Sequence, residues 1–224
     1  MSAESAALSQ HRLRSFNRER IPYPRLDSES LLKFIKNSPH LSVEIGCGVG
    51  LHPVMWSKQY PDRQLLAIEK TQEKFRKFQT RYKEEGAPPN LYPLHAHAVS
   101  VVSHFLKDES VEEYYFLFPN PEPKSPQSRW IRMPFFSEIL RTLKADGQIH
   151  FATNKKDYHE EIEDWAATAW NLQLTKKVET TKATSTAPRT HFEKKYLERG
   201  DTIYSTVWKK RSSEMGNLGT SRIG

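Results

Sequence analysis

Short apolar runs alternate with longer amphipathic stretches along most of this chain, and the two patterns predict two kinds of regular structure. The short runs are rich in β-branched and aromatic residues and are bounded by turn-forming residues, as strands require. Seven runs predict strands: LSVEIG (41–46), LLAIE (65–69), LYPLHA (91–96), EYYFLF (113–118), GQIHFAT (147–153), LQLTKKVE (172–179) and TIYSTVWK (202–209).

The longer stretches between the strands predict amphipathic helices. Apolar residues share a helical face in two of them, Phe75, Phe78 and Tyr82 in one and Tyr158, Ile162, Trp165 and Ala169 in the other. Five strands separated by helices, followed by two with no helix between them, predict a three-layer α/β sandwich. Its seven-stranded sheet should be mostly parallel with a late antiparallel edge. A doubly wound sheet of this kind binds its ligand at the carboxyl ends of the strands.

Composition bounds the domain organisation. A chain of 224 residues that is 37% hydrophobic can bury a sizeable core without a disulfide or a metal. We expect one main domain at 27–210, a basic arm at 1–26 and a flexible tail at 211–224.

The first residues lack a secretory pattern, and no run approaches the roughly 18 apolar residues of a membrane span. We therefore expect a soluble, cytoplasmic protein. The single cysteine, Cys47, excludes an internal disulfide and argues against a cysteine-based metal site.

The charge is +7, with a pI near 9.4, and its distribution is more informative than its sum. Basic residues gather near the two ends: Arg12, Arg14, Arg18, Arg20 and Arg25 in the arm, and Lys176, Lys177, Lys182, Arg189, Lys194, Lys195 and Arg199 after residue 174. This pattern favours a polyanionic partner such as a nucleic acid. The alternative is a solvated surface charge that only aids solubility.

A glycine loop follows the first strand. Gly46, Gly48 and Gly50 allow a tight turn and the close approach of a ligand to backbone N–H groups. Glu69 ends the second strand about 20 residues later, where an acid accepts hydrogen bonds from ribose hydroxyls. Glu44, before the first glycine, would repel a pyrophosphate but suits the cationic methionine end of S-adenosylmethionine. These residues favour S-adenosylmethionine over NAD, with a glycine turn that binds nothing as the structural alternative.

The ends of the third and fourth strands supply further candidates. His97, after the third strand, is placed to offer a polar side chain to an adenine ring; with His95 it also suggests a metal, but a third ligand is missing from the sequence. Asn120 follows the fourth strand in YYFLFPNPEPKS (114–125), between two prolines that end the strand and stiffen the loop. Asn-Pro at this place is also typical of enzymes that methylate exocyclic amines, although their second proline and aromatic residue are missing here.

Four stretches together resemble the bacterial tRNA (guanine-N7-)-methyltransferases of the TrmB type. They are RSFNRER (14–20), EIGCGVG with the following AIE (44–69), FPNPEPK (118–124), and the pair ATN (152–154) and THFEKKYLERG (190–200). The resemblance implies the class I S-adenosylmethionine-dependent methyltransferase fold, which is Rossmann-like. It also implies methyl transfer from S-adenosylmethionine to N7 of a guanine in the variable loop of tRNA.

The resemblance also assigns roles to individual residues. Glu44, Glu69, His97 and Asn120 stand where the family binds the cofactor or supports catalysis, and the residues that stand where it binds RNA are Lys124, Asn154, Thr190, His191, Phe192 and Glu193. Thr190 and Glu193 also form the pattern of a helix cap, and both roles can hold together.

Some positions depart from the family pattern. The family carries Asp where His97, Asn120 and Asn154 stand, and an aromatic residue where Glu122 stands. Guanine N7 has a free lone pair, so its methylation needs positioning and relief of charge rather than deprotonation. Asn120 keeps an acceptor oxygen but has lost the charge, which predicts a slower enzyme than one with Asp.

Several hypotheses stay open from the sequence. The leading one is a tRNA guanine-N7 methyltransferase that acts as a monomer or homodimer, with tRNA as its partner and no metal or membrane. The alternatives are a methyltransferase that acts on another RNA base, an exocyclic amine, a protein or a small molecule, and a non-catalytic RNA-binding paralogue.

Overall fold

The computed structural model describes residues 11, 13–36, 38–185 and 187–211, and a seven-stranded sheet forms its centre. The strands are β1 (Leu41–Ile45), β2 (Gln64–Glu69), β3 (Leu91–His95), β4 (Val111–Leu117), β5 (Leu143–Thr153), β6 (Leu172–Thr180) and β7 (Ile203–Lys210). Their order is β3-β2-β1-β4-β5-β7-β6, so β3 and β6 are the edges. Strands β1 to β5 pair in parallel, and β7 is antiparallel to both its neighbours. The predicted α/β fold with a mostly parallel sheet is confirmed.

Seven α-helices lie within the described residues. They are α1 (Ser28–Lys36), α2 (Leu51–Gln59), α3 (Gln72–Glu84), α4 (Ala98–Phe105), α5 (Phe136–Thr142), α6 (Lys156–Thr168) and α7 (His191–Glu198). The two predicted amphipathic helices are present as α3 and α6, whose inward residues Phe78, Tyr158 and Ile162 are fully or almost fully buried. No helix in this part of the chain combines the length and the hydropathy of a membrane-spanning segment.

Apolar side chains alternate between the two faces of the strands, so helices pack on both sides of the sheet. Val43, Tyr114 and Phe116 face the larger core, which they share with α4, α5 and α6. Tyr115 and Leu117 point to the opposite face and pack with α2 and α3. Because successive strand residues point to opposite faces, the aromatic run in β4 contributes to both cores. This is the three-layer sandwich that the sequence predicts.

The last two strands depart from the prediction. Helix α7 lies between β6 and β7 in the chain, where the strand pattern predicted no helix but the cap pattern of Thr190 and Glu193 indicated a helix start. Thr190 caps this helix, since its hydroxyl accepts a hydrogen bond from the Glu193 backbone N–H at 2.9 Å. Strand β7 returns between β5 and β6, so the antiparallel strand is internal rather than an edge. The connection between β6 and β7 therefore carries a helix instead of a hairpin turn.

The described part of the basic arm packs on the α4 and α5 side of the sheet. The ring of Phe16 meets the edge of Phe135, with ring centroids 5.7 Å apart. Nε2 of His104 bonds to the carbonyl of Ile21 at 2.8 Å. These contacts hold Phe16 and Ile21 against the domain. The predicted boundaries stay predictions, because residues 1–10, 12 and 212–224 lie outside the described residues.

Candidate functional site

The loops that follow β1, β2, β4 and β5 meet at one edge of the sheet and line two adjoining cavities. The glycine-loop cavity, about 270 Å³, is lined by Glu44, Gly46, Cys47, Gly48, Val49, Leu51, His52, Thr71, Glu73, Lys74, Lys77, Leu117, Thr190, His191 and Phe192. The proline-loop cavity, about 400 Å³, is lined by Ile45, Gly46, Glu69, Lys74, Phe118, Pro119, Asn120, Pro121, Trp130, Thr153, Asn154, Lys155, Phe192 and Tyr196. The strand order reverses between β1 and β4, so the site lies where a doubly wound sheet binds its ligand.

The three glycines of the loop do different things. All have positive φ, +77° at Gly46, +61° at Gly48 and +77° at Gly50. A Cβ at Gly46 or Gly48 would meet no atom within 4 Å, whereas one at Gly50 would lie 1.9 Å from the Phe78 ring. Gly46 and Gly48 therefore leave space on the cleft side, and Gly50 makes room for α3.

Glu69 organises the loop from the end of β2. Its carboxylate is 5% exposed and accepts hydrogen bonds from the backbone N–H of Gly48 at 2.8 Å and of Thr71 at 2.7 Å. A carboxylate offers about four acceptor positions, so these two bonds leave capacity for ribose hydroxyls. Glu69 thus holds the glycine loop against the start of α3 while lining the proline-loop cavity.

Glu44 and His52 form a buried pair at the other side of the loop. Glu44 is 1% exposed, and its Oε2 lies 2.7 Å from Nδ1 of His52 in the first turns of α2. Sequence reasoning did not single out His52, since its partner lies eight residues back at the end of β1. Its position on the helix that opens at the loop is the signal that could have found it.

Cys47 is buried inside the loop. Burial, followed by the nearby carboxylates of Glu44 and Glu69, raises the pKa of the Cys47 thiol well above its usual value. A thiol that stays protonated is a poor nucleophile and a poor metal ligand. This agrees with the interpretation of Cys47 as a small loop residue.

Asn120 lies exposed on the rim of the proline-loop cavity. Its Nδ2 donates a hydrogen bond to Oε1 of Glu122 at 2.7 Å. Two residues of the loop have positive φ, +54° at Phe118 and +43° at Glu122. The backbone N–H of Phe118 still bonds to the carbonyl of Ala152 at 2.7 Å, which extends the β4–β5 pairing into the loop.

Arg129 fixes the far side of this loop. Its Nε donates to the carbonyl of Pro121 at 2.5 Å, and its guanidinium forms an ion pair with Glu161 of α6. Arg132 pairs with the same Glu161. Arg129 is only 7% exposed, so it supports the loop from below rather than offering a charge to solvent. Lys124, in contrast, is exposed and lines neither cavity.

Asn154 faces the proline-loop cavity from the end of β5. Its Nδ2 donates to Oδ2 of Asp201 at 2.8 Å. Hydrogen bonds from Arg199 and then Asn154 lower the pKa of Asp201. The Asn154 amide is therefore held by an ionised acid that the sequence analysis did not single out.

The segment that starts α7 lies between the two cavities. Thr190 and Glu193 make the cap, and Glu193 is held by Arg189, whose Nε lies 3.0 Å from the carboxylate. Phe192 lines both cavities, and the Nζ of Lys74 lies 5.6 Å from the centre of its ring. Thr190 is confirmed as the N-cap, whereas the Glu193 carboxylate accepts from the backbone N–H of Arg189 at 3.1 Å rather than from that of Thr190. The predicted substrate roles of this segment stay predictions. Lys74 was missed because its proximity depends on how α3 and α7 meet.

Four predicted site residues line neither cavity: Gly50, His97, Lys124 and Glu193. His97 is the N-cap residue of α4 and is exposed; partial burial, followed by the charge of Lys70, lowers its pKa. Nε2 of His95 bonds to the carbonyl of Lys70 at 3.0 Å. Within the described ranges, no group of three or more His, Cys, Asp or Glu side chains could hold a metal ion.

A larger cavity, about 600 Å³, lies over the antiparallel part of the sheet. It is lined by residues of β5, β6 and β7, with Arg189 and Glu193 at one end. No residue of the glycine or proline loops contributes to it. We therefore place the chemistry in the two smaller cavities at the carboxyl ends of the strands.

The fold is that of the Rossmann-like methyltransferases. The solved structure of the 16S rRNA methyltransferase KamB superposes with a TM-score of 0.64 at 15% identity, over 84% of this chain and 95% of that one. A likeness at that identity shows the fold alone. The crystal structure of a methyltransferase from Aquifex aeolicus superposes with a TM-score of 0.52 at 15% identity, over 82% of this chain and 89% of that one.

Sequence comparison gives the family. Residues 38–206 match a family described as putative methyltransferase. The tRNA (guanine-N(7)-)-methyltransferase of Rhodococcus jostii is 31% identical over 190 residues, covering 83% of this chain and 70% of the relative. The enzyme of the same name from Neisseria gonorrhoeae is 26% identical over 192 residues, covering 85% and 79%. The chain belongs to the tRNA (guanine-N7-)-methyltransferase family, as the resemblance of its motifs predicted.

Proposed function

We propose that this protein transfers a methyl group from S-adenosylmethionine to N7 of a guanine in the variable loop of tRNA. One observation carries the proposal: the glycine loop with Glu44 and Glu69 and the proline loop with Asn120 border adjoining cavities at the switch point of the sheet. A methyl donor and a planar base can therefore be held side by side. Because the chain belongs to this family, tRNA is the polyanionic substrate that we propose.

The cleft residues fit S-adenosylmethionine. The open space beside Gly46 and Gly48 admits a ligand against the backbone, and the buried Glu44 suits a cationic amino acid moiety. Glu69 keeps acceptor capacity for ribose hydroxyls. When bound, the cofactor supplies an electrophilic methyl group on a sulfonium. We assign Glu44, Gly46, Gly48 and Glu69 to hold it, while His97 and Gly50 are assigned no direct contact.

Asn120 is the residue that meets the acceptor base. N7 of guanine carries its own lone pair, so no general base is needed and orientation supplies most of the catalysis. Asn120 offers an amide at the rim of the proline-loop cavity, where it can accept hydrogen bonds from the edge of the purine. Phe192, which lines both cavities, offers a ring face beside the same space.

Contacts to the RNA backbone come from exposed cations outside the cleft. Arg14, Arg18 and Arg20 are exposed in the arm, and Lys124 is exposed beyond Asn120. Asn154, Thr190, His191 and Phe192 border the cleft. Phosphate contacts of this kind orient an RNA without reading its sequence. The proposal includes a cytoplasmic location, where tRNA is found, and a monomer or homodimer as the active species.

The test is methyl transfer from labelled S-adenosylmethionine to total tRNA, followed by nucleoside analysis by mass spectrometry. We expect label in 7-methylguanosine, and loss of that label when the transcript has its variable-loop guanine replaced by adenine. Label in an N2- or N6-methylated nucleoside would replace the proposal by an exocyclic amine acceptor. Binding of S-adenosylhomocysteine and tRNA without transfer would indicate a non-catalytic paralogue.

A further inference from the structure

The side chain of Glu122 bonds directly to the residue that meets the acceptor base. Nδ2 of Asn120 donates to Oε1 of Glu122 at 2.7 Å, a short, charge-assisted contact. Glu122 has φ of +43°, a left-handed conformation that a residue with a side chain adopts only where its surroundings fix it. The carbonyl of the intervening Pro121 is held by Arg129 at 2.5 Å. Asn120 and Glu122 are thus two ends of one anchored turn.

This contact decides which way the Asn120 amide points. A carboxylate can only accept hydrogen bonds, so the amide nitrogen must face Glu122 and the amide oxygen Oδ1 must point away from it. An exposed asparagine without such a partner could present either group. The acceptor oxygen is therefore the group left free at the rim of the proline-loop cavity.

The contact also changes the charge beside the cleft. Asn120 is neutral, but a carboxylate that accepts from its N–H polarises the amide and brings a negative charge two residues away. Other charged groups lie near the loop: Arg129, which pairs with Glu161 and Asp157 and lies over the Tyr158 ring, Lys124, which is exposed two residues after Glu122, and Glu69, Lys74 and Lys155, which line the proline-loop cavity. Glu122 is the acidic group that bonds to the Asn120 side chain.

A negative charge at this place can stabilise the positive charge that develops on the purine during methyl transfer. The N7 lone pair forms the new N–C bond while the C–S bond breaks and its electron pair stays on sulfur. No proton moves, and the positive charge passes from the sulfonium to the purine ring. A negative charge behind the amide that contacts the purine stabilises the product-like transition state.

We propose that Glu122 is a positioning residue that orients the Asn120 amide toward the acceptor base and supplies the negative charge that the amide lacks. The inference rests on the proposed function for its kinetic consequence. Its geometric part, a carboxylate that holds the Asn120 amide, can be tested without any methyl transfer.

The geometric test is an NMR spectrum of protein labelled with ¹⁵N at asparagine. The side-chain amide signal of Asn120 is identified by its loss in Asn120→Asp. We expect that signal to shift in Glu122→Gln, while Glu84→Gln, at an exposed site in the last turn of α3, leaves it unchanged. A signal that does not shift in Glu122→Gln overturns the inference, whatever the protein methylates.

The kinetic test is a double-mutant cycle on tRNA methylation. Glu122→Gln should lower kcat about 10- to 100-fold, the range for losing a charge-assisted hydrogen bond, with Glu122→Asp recovering part of it. Asn120→Asp places two carboxylates together, so its activity should rise with pH as the shared proton leaves. Adding Glu122→Gln to Asn120→Asp should then increase activity and flatten the pH profile.

The outcomes separate the two proposals. If Glu122→Gln lowers kcat equally in both backgrounds, Glu122 acts only through the loop fold and the inference is wrong. If the wild-type protein gives no 7-methylguanosine but the Asn120 amide signal shifts in Glu122→Gln, the proposed function is wrong and the hydrogen bond between Asn120 and Glu122 is supported. Binding of S-adenosylhomocysteine, measured by calorimetry, should change less than about twofold in Glu122→Gln, because Glu122 lines neither cavity.

Discussion

Replacing Gly50 by alanine tests how the glycine loop divides its work. In Gly50→Ala the new Cβ would lie 1.9 Å from Cδ2 of Phe78, a ring that is fully buried between α3 and the sheet. Gly48 and Gly86 also have positive φ, +61° and +82°, but a Cβ at either meets no atom within 4 Å. Gly86 lies just beyond the end of α3 and lines neither cavity. Gly86→Ala is therefore the control that measures the cost of positive φ alone.

The magnitudes follow from these three environments. Alanine at positive φ costs about 1–2 kcal/mol, and this term applies to all three positions. The clash with Phe78 adds about 1–3 kcal/mol of overpacking at position 50. We expect the free energy of unfolding to fall by about 1–2 kcal/mol in Gly86→Ala and Gly48→Ala, and by about 2–5 kcal/mol in Gly50→Ala.

Urea unfolding followed by tryptophan fluorescence measures the stability, and calorimetry with S-adenosylhomocysteine measures the binding. Gly48→Ala should weaken that binding at least about tenfold, because its methyl group enters the space beside the backbone. Gly86→Ala should leave binding unchanged. Equal destabilisation by Gly50→Ala and Gly86→Ala would refute the packing role, and unchanged binding in Gly48→Ala would refute the cleft role.

Two further predictions follow from contacts and charges described above, and a third follows from His150, a partly buried residue of β5 that lines the larger cavity. His52→Ala should weaken S-adenosylhomocysteine binding about 10-fold by calorimetry, because the Glu44 carboxylate loses its hydrogen bond with His52. His52→Gln should recover part of this loss. Alanine at the three arginines of 14–20 should weaken tRNA binding and lower the salt slope by about 0.7–0.9 per lost phosphate contact, and an unchanged slope would exclude this arm as an RNA contact. Burial lowers the pKa of His150 to about 4, so folding stability should fall as pH drops from about 6.5 toward 4, by up to about 3 kcal/mol; His150→Gln should flatten that part of a urea-midpoint profile against pH.

The sequence predicted most of the fold because the signal for each element is local. All seven strands lie within a few residues of their predicted positions, since apolar runs and the turn residues around them are read one segment at a time. Glu44, Glu69 and Asn120 were expected near one another because each lies at or just after the carboxyl end of a strand, and these ends meet at the same edge of the sheet. Helix α7 was missed as an element although its cap, Thr190 and Glu193, was recognised.

Other features could not be predicted because they depend on partners far apart in the chain. The insertion of β7 between β5 and β6 is a choice of neighbour that strand patterns do not encode. Arg129 follows the proline loop closely in the chain, but its pairing with Glu161 beneath that loop depends on how α6 packs. The bond between His52 and Glu44 likewise requires knowing that α2 returns over the end of β1.

The two edges of the sheet limit how copies of this chain can associate. Strand β3 carries Pro93, which has no N–H to donate, and β6 exposes Lys176, Lys177 and Glu179 with an irregular register near Leu174. Charged side chains, prolines and bulges are devices that prevent one sheet from extending another. A homodimer of this protein should therefore form through its helices or loops rather than by joining the two sheets edge to edge.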